Sequence, residues 1–279
     1  MKRKNSLIVI FLITVSIFYT TLNGCTIEYD VDNNSNVVLT DTLKYDVSSF
    51  NKIYSLGFAK IFLTKGDEFS VHAISDKESL SKLDVSVSDN TLNIKNIDDD
   101  DAFLVKLFSS KKRNNQEVRI YVTLKNIESI VLKGSGDLYG TNAIKEDNLE
   151  IKVIGSGDVK INNLEVGNNL SIGVIGSGDV NVNNLEGNIL SIDIVGSGDV
   201  FVAGKAKTNT SSIAGSGDIK AYNLIAENTL LSISGSGDAE IGTTQEIQGR
   251  ISGSGDVKYN SSPKTINVSV SGSGRVYKR

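Results

Sequence analysis

The sequence predicts an all-β protein: a right-handed parallel β-helix, or β-solenoid, with rungs of about 20 residues and an irregular N-terminal β cap. The first observation is that the tetrapeptide Gly-Ser-Gly-Asp recurs at near-constant intervals. The second is that apolar residues alternate with polar ones on both sides of each copy. The third is the composition, 39% hydrophobic and 22% charged, which is too apolar for a disordered chain and too polar for a bundle of membrane helices.

The repeat accounts for 16 of the 26 glycines, and its copies begin 18 to 21 residues apart. The copies begin at Gly134, Gly155, Gly176, Gly196, Gly215, Gly235, Gly253 and Gly272. A fixed period near 20 residues is typical of a stacked solenoid. A β-sandwich or a propeller is the competing architecture, but propeller blades need about 40 residues each.

The alternation identifies the inward side of each rung, because successive side chains of a strand point to opposite faces. One predicted inward column lies two residues before the first glycine of each copy. It consists of Leu132, Val153, Val174, Ile194, Ile213, Ile233, Ile251 and Val270. A second inward column directly follows the tetrapeptide. It consists of Leu138, Val159, Val180, Val200, Ile219, Ala239, Val257 and Val276. Polar segments such as 162–165 are predicted to be turns between the strand arms.

The same parity places both glycines of the tetrapeptide inward, and the serine and aspartate outward. The aspartates are therefore predicted to form an external structural ladder. Its members are Asp137, Asp158, Asp179, Asp199, Asp218, Asp238 and Asp256, with Arg275 in the last copy. Stacked like charges repel, and two explanations remain open. Each carboxylate accepts hydrogen bonds from backbone N–H or serine groups in an Asx-type turn, or the ladder binds a cation such as Ca²⁺.

Basic residues close the repeat region. Arg275 replaces the aspartate of the last copy and is expected to neutralise the end of the ladder. Lys278 and Arg279 place charge on an open edge, which hinders pairing with other chains.

The N-terminus is typical of a bacterial lipoprotein. Residues 1–24 combine three basic residues with a short apolar stretch, as in a signal peptide. The sequence Leu22-Asn23-Gly24-Cys25 resembles a lipobox, so Cys25 is the predicted lipidation site and membrane anchor. Residues 25–42 form the predicted polar linker. By resemblance to lipoprotein sorting rules, the anchor is expected in the outer membrane, on its surface or periplasmic face.

The N-terminal β region, residues 43–133, is predicted to form the first rungs and to be continuous with the repeats at 134–279. Residues 97–116 interrupt it, either as a solvated excursion or as a contact loop that presents Phe103 and Phe108. The strand segments lie at 58–63, 69–74, 83–87, 91–95, 118–124 and 129–132. His72, the one histidine of the chain, is expected on the surface and outside any catalytic role.

The repeats, together with three N-terminal segments, resemble the bacterial family called "putative auto-transporter adhesin, head GIN domain". The segments are Phe50-Asn51-Lys52-Ile53, Lys65-Gly66-Asp67-Glu68-Phe69-Ser70-Val71 and Asn90-Thr91-Leu92-Asn93-Ile94. The resemblance covers residues from about 46 to 279. It implies a β-helical fold and adhesive work at the cell surface, and it supplies no catalytic residues.

The predicted function is that of a non-enzymatic envelope lipoprotein that presents a rigid solenoid for adhesion or recognition. A structural scaffold of the envelope is the alternative, and a polysaccharide-degrading β-helix enzyme is a third reading. One cysteine and one histidine exclude a disulfide framework and multi-histidine metal centres, so no metal or cofactor is predicted. A net charge of −4 argues against nucleic acid as a partner. The expected partners are the membrane, through the lipid anchor, and a cell-surface glycan or protein; the oligomeric state is left open.

Overall fold

Eighteen strands and one short helix make up the part of the chain that the computed structural model describes, residues 41–96 and 117–279. All eighteen strands belong to one hydrogen-bonded sheet, which confirms the predicted all-β solenoid. The N-terminal elements are β1 (Asp41–Tyr45), β2 (Lys52–Gly57), β3 (Lys60–Lys65), β4 (Ser70–Ser75), α1 (Lys77–Ser81), β5 (Leu83–Ser88), β6 (Thr91–Asn96) and β7 (Arg119–Leu124). The repeat strands are β8 (Ser129–Gly134), β9 (Leu138–Gly140), β10 (Ile144–Gly155), β11 (Val159–Gly176), β12 (Val180–Gly196), β13 (Val200–Gly215), β14 (Ile219–Gly235), β15 (Ala239–Gly253), β16 (Val257–Tyr259), β17 (Thr265–Gly272) and β18 (Val276–Lys278).

The repeats stack in parallel with the tetrapeptides in line. The residue partners of β10, β11 and β12 place Gly155 beside Gly176, and Gly176 beside Gly196. Each strand therefore pairs with its counterpart one repeat later, as the period predicts. Parallel neighbours in a sheet lie about 4.8 Å apart, so each repeat lengthens the solenoid by one such step.

Each turn of the solenoid bends more often than the sequence indicates. In β11 the buried residues fall into three groups, which are separated by two consecutive outward residues at 162–163 and by residues 167–169. The predicted turn at 162–165 is wrong for this reason: Leu164 is buried and the segment lies within β11. The asparagines at 162–163 mark a bend, but the strand continues through it, because pairing with β12 resumes at Asn163.

The N-terminal rungs are stacked out of chain order. Strands β2 and β3 lie between two later rungs, since β2 pairs in parallel with both β6 and β8, and β3 with both β7 and β9. Strands β1, β4 and β5 pair antiparallel with β4, β7 and β6, respectively. These antiparallel strands are the predicted irregular cap. The sequence reasoning located β3 to β8 to within two residues at each end and missed β1, β2 and α1.

The core is one aliphatic cluster that runs through the stacked turns. The two predicted inward columns are buried along their length, with relative exposures of 0–2% from Leu132 to Val257. The last turn differs, because Val270 is 42% exposed and no further turn in the described part of the chain covers it.

Several predicted features lie outside the described residues. They are the signal peptide, the lipobox residues Leu22, Asn23 and Gly24, the lipidation site Cys25, and the interruption at 97–116 with Phe103 and Phe108. Within residues 41–96 and 117–279, no helix has the length and apolar character needed to cross a membrane.

Candidate functional site

The corner of each turn is built on glycine. The first glycine of every tetrapeptide has a φ between +115° and +143°, a region that disfavours other residues. In five of the eight copies its carbonyl oxygen accepts two N–H groups of the next turn: in one corner, Ser177 and Gly178 donate to Gly155 at 2.8 and 3.0 Å. A Cβ on Gly176 would overlap the carbonyl oxygen of Gly155. The second glycine is buried in seven of the eight copies, as the parity predicts. The prediction is wrong for the first glycine, which is partly or fully exposed in every copy because its positive φ turns the chain at the corner.

The aspartates hold one turn to the next. The Oδ1 atom of each accepts the backbone N–H of the equivalent residue one repeat later, over 2.8–3.1 Å. The aspartate ladder formed in this way consists of Asp137, Asp158, Asp179, Asp199, Asp218, Asp238 and Asp256. The donors lie 18 to 21 residues away, rather than in the same corner as an Asx turn requires. Arg275 occupies the last position of the column, where the described chain has no later repeat whose backbone N–H would need an acceptor.

The second carboxylate oxygen faces cationic side chains. Oδ2 of Asp199 contacts Lys220 Nζ at 2.5 Å, and Oδ2 of Asp238 contacts Lys258 Nζ at 3.0 Å. Arg275 Nη2 lies 2.6 Å from Asp256 Oδ2. The hydrogen bond from Arg275 lowers the pKa of Asp256, and the hydrogen bond to Asp199 raises the pKa of Lys220. Backbone N–H groups and these cations together offset the repulsion between stacked carboxylates.

The ladder lies on the outside of the solenoid, at varying depth. Asp179 is exposed and Asp199 is half-buried, while Asp256 retains only 9% exposure beneath Arg275. In the described ranges 41–96 and 117–279, no group of three or more His, Cys, Asp and Glu side chains is arranged as a metal site.

A second outward column lies beside the ladder, two residues after each aspartate. This flanking column consists of Tyr139, Lys160, Asn181, Phe201, Lys220, Glu240, Lys258 and Tyr277. It continues through the N-terminal rungs with Phe62, Tyr121 and His72, which follow Tyr139 in that order. The flanking column therefore spans the stack from the cap to the last turn.

The N-terminal end of the flanking column is a stack of rings. Phe62 lies 4.9 Å from Tyr121 and 5.5 Å from Tyr139 between ring centroids, and His72 lies 4.9 Å from Tyr121. The rings are nearly parallel, so they cover one another's faces and present edges to solvent. Burial, followed by the neighbouring Asp137, raises the pKa of Tyr139 to about 12. Burial, with a smaller contribution from Lys44, lowers the pKa of His72.

A groove interrupts the flanking column near the other end. Four residues of β14, Tyr222 to Ile225, lie opposite the single residue Gly242 of β15, so β14 bulges outward. A Cβ on Gly242 would meet the carbonyl oxygens of Leu224 and Tyr222, which explains glycine at this close approach. The depression beside the bulge, the Tyr222 groove, has a volume of about 530 Å³. It is lined by Phe201, Lys220, Tyr222, Asn223, Glu240 and Arg279.

Sequence reasoning missed both the flanking column and the Tyr222 groove. The flanking column could have been found by listing the residue two positions after each aspartate. The bulge leaves a weaker signal, since the interval between corners falls from 20 residues before Gly235 to 18 after it. A ninth corner, at Gly57, was also missed: it has a φ of +136° and aligns with Gly134, but it is followed by Phe-Ala-Lys.

Comparisons with known proteins agree with this architecture. A crystal structure of a putative adhesin from Bacteroides fragilis has a TM-score of 0.63 at 28% identity, over 86% of this chain and 96% of that chain. One from Parabacteroides merdae has a TM-score of 0.76 at 22% identity, over 86% and 95%. A putative lipid binding protein from Parabacteroides distasonis has a TM-score of 0.74 at 24% identity, over 86% and 96%.

No curated protein is significantly similar to this chain in sequence. The family model described as "Putative auto-transporter adhesin, head GIN domain" matches residues 49–168 and 165–263. Those two matches join into most of the solenoid, including the cap strands β4 and β5 and seven of the eight tetrapeptides. The chain belongs to the family of the auto-transporter adhesin head GIN domain.

Proposed function

We propose that this chain is a non-enzymatic recognition protein of the cell envelope, anchored in the outer membrane through lipid on Cys25 and displaying its solenoid for adhesion. The observation that carries the proposal is the flanking column, an outward row of mostly aromatic and charged side chains along the stack. The family description, that of an adhesin, supports the same role.

The rigidity of the outer face supports a recognition role. Backbone bonds at every corner and the carboxylates of the aspartate ladder fix each turn to the next, so side chains of the flanking column keep their spacing. A surface that is already ordered loses little conformational entropy when it binds.

The use of the aspartates supports a non-enzymatic role over the polysaccharide-degrading alternative. Glycoside hydrolysis requires two carboxyl groups with different protonation states on either side of the bond. In this chain the seven aspartates are equivalent instead, because each accepts a hydrogen bond from a backbone N–H of the next turn.

Three experiments in the native bacterium test the proposal. Protease treatment of intact cells is expected to degrade the protein, and the Cys25→Ala variant is expected to be released from the membrane fraction. Deletion of the gene is expected to reduce attachment to surfaces, and the wild-type gene is expected to restore it. Unchanged attachment, together with protection from the protease, would favour the scaffold alternative.

A further inference from the structure

The Tyr222 groove is the place where the solenoid departs most from its own repeat. Beside the depression of about 530 Å³, a second one of about 290 Å³ lies on the other side of the bulge, and both are lined by Tyr222 and Asn223. The bulge thus creates two adjoining hollows on an otherwise regular outer face. Concave surfaces with a few convergent polar groups are where proteins bind small ligands.

The core of the turns that carry the Tyr222 groove is irregular as well. One inward column reads Leu149, Leu170 and Leu190 in earlier turns but continues with Asn209 and Thr229. Both are buried, and Thr229 shares a hydrogen bond of 2.7 Å with the buried Thr243. Replacing leucine by buried polar groups forfeits apolar burial. Departures of this kind concentrate at functional sites.

The charges that line the Tyr222 groove are already paired. Lys220 contacts Asp199 at 2.5 Å, and Arg279 Nη1 lies 3.3 Å from Glu240 Oε1. Lys258 Nζ also lies 3.9 Å from Glu240. An anionic ligand would have to compete with these carboxylates, and a cationic ligand with these bases. The lining therefore favours an uncharged ligand that offers many hydrogen-bonding groups.

The aromatic rings of the groove differ from those of the N-terminal stack. In the flanking column Phe201 has Asn181 and Lys220 as neighbours, and the described residues include no ring packed against it. The ring of Tyr222 is approached by Arg279, at 5.9 Å from its centroid. Ring faces that are covered neither by another ring nor by this guanidinium can receive the C–H face of a pyranose, whose hydrogens carry partial positive charge.

We propose that the Tyr222 groove binds an uncharged oligosaccharide. Phe201 and Tyr222 contact the apolar faces of its sugar rings, while Asn223 and the polar ends of Lys220 and Glu240 bond its hydroxyl groups. This inference rests on the proposed recognition function and names the ligand class for it.

The test uses the full-length protein in detergent, applied to an array of neutral oligosaccharides of glucose, mannose, galactose and N-acetylglucosamine and of sialylated, uronic and sulfated ones. Binding to a neutral oligosaccharide is expected, with little change between about 50 and 500 mM salt, because no net charge is exchanged. Phe201→Ala and Tyr222→Ala are each expected to weaken that binding by roughly tenfold or more, as loss of an aromatic anchor does.

Matched variants separate loss of the site from loss of the fold. Tyr222→Phe keeps the ring and is expected to retain binding that Tyr222→Ala loses. The unchanged control is Tyr54→Ala, which removes an outward aromatic residue of β2, in the N-terminal rungs, and is expected to bind like the wild type. Each variant is included only if its thermal unfolding midpoint matches that of the wild type. Tyr222→Ser replaces Tyr222→Ala, and Phe201→Ser replaces Phe201→Ala, if the alanine variant does not meet this condition.

The outcomes are distinct. Binding to acidic oligosaccharides alone overturns the ligand class, and neutral binding that survives both alanine variants overturns the location. Absence of any saccharide binding, in a protein whose deletion still abolishes attachment, overturns this inference and leaves the proposed function standing. If deletion leaves attachment intact, the proposed function fails, whatever the array shows.

Discussion

The two ends of the solenoid differ in how far the apolar residues of their outermost rungs are covered. At the N-terminal end, the rung made of β6 and β7 is covered by the antiparallel strands β4 and β5, and its inward residues Leu92 and Ile120 are fully buried. At the other end, β17 and β18 each pair on one side only within the described chain, and Ile266 and Val270 are each 42% exposed. A repeat buries its apolar face against a neighbouring repeat, so a terminal repeat needs a separate cap to be fully covered.

The edge at the open end is also less protected than the sequence indicates. Lys278 lies in β18, and Arg279 turns back to Tyr259 and Glu240. The longer edge strand β17, however, has no charged residue between Thr265 and Gly272. The defence against edge pairing is therefore local to β18. The middle turns and the capped end are therefore covered on both sides, whereas the last turn of the described chain is covered on one side only.

The largest effect is expected from placing a charge in an inward column. Val180→Asp buries an unpaired carboxylate among aliphatic neighbours and is expected to lower the free energy of unfolding by about 3–5 kcal/mol. The same change at the exposed Val270 is expected to cost less than about 1 kcal/mol. Urea denaturation followed by circular dichroism measures both, and equal losses at the two positions would contradict the comparison.

The next effect concerns the corner glycines. Gly176→Ala forces a side chain into a positive-φ corner and against the Gly155 carbonyl, between turns that cannot move apart. We expect a loss of about 2–3 kcal/mol from backbone strain and overlap. Gly272→Ala meets the same overlap in the last turn, which can shift, so a smaller loss is expected.

Gly187→Ala is the matched control for the corner variants. A Cβ there would meet only the Leu185 side chain, at 3.4 Å or more, and the φ is not in the positive region. Thermal melts of the three variants should rank Gly176→Ala lowest and Gly187→Ala closest to wild type. A melt of Gly176→Ala that equals the control would refute the role assigned to the corner.

A smaller effect is expected in the aspartate ladder. Asp179→Ala leaves the N–H of Asp199 without its acceptor and is expected to cost about 1 kcal/mol. Asp179→Asn keeps an oxygen at the same place and should be nearly neutral, which separates the hydrogen bond from the charge. At the open end, Arg275→Ala removes no acceptor for another turn and should change stability less than Asp179→Ala. Chemical denaturation distinguishes these cases, and equal losses for the alanine and asparagine variants would show that the charge matters instead.

The smallest effect concerns pH and contrasts the two ends directly. The pKa of His72, near the cap, is expected below its ordinary value of 6.5, because burial and Lys44 disfavour the charged ring. The unfolded chain then binds the proton more tightly than the folded chain does, so the free energy of unfolding decreases as pH falls below about 6.5. At the open end, Arg275 holds the pKa of Asp256 below 3.8, and its contribution is lost only as pH falls through that lower value.

Proton NMR titration reads the His72 pKa without ambiguity, because the chain contains one histidine. A measured value at or above 6.5 would show that the ring is not shielded in the stack with Tyr121. His72→Phe keeps a ring in the column and should remove the pH dependence of stability in this range.

Sequence reasoning reached the regular part of the molecule because its information is local. Alternation around Val180 or Val200 shows which side is buried, and the tetrapeptide shows where the chain turns. It failed at Gly57, whose corner lacks the tetrapeptide, and at β2 and β3, which enter the stack out of order. Of its two explanations for the aspartates, the local one placed their hydrogen-bond donors within the same corner. The donor of Asp179 lies 20 residues away, and the two come together only after the turns have stacked.

The sequence by itself determined the class of fold, the period, the inward columns and the outward position of the aspartates, since each follows from side-chain alternation within one repeat. Only the tertiary structure decided which turn lies on which, what each carboxylate binds, how the rings of the flanking column stack and where the Tyr222 groove opens. These features depend on register between turns, and register is set by hydrogen bonds between residues far apart in the chain.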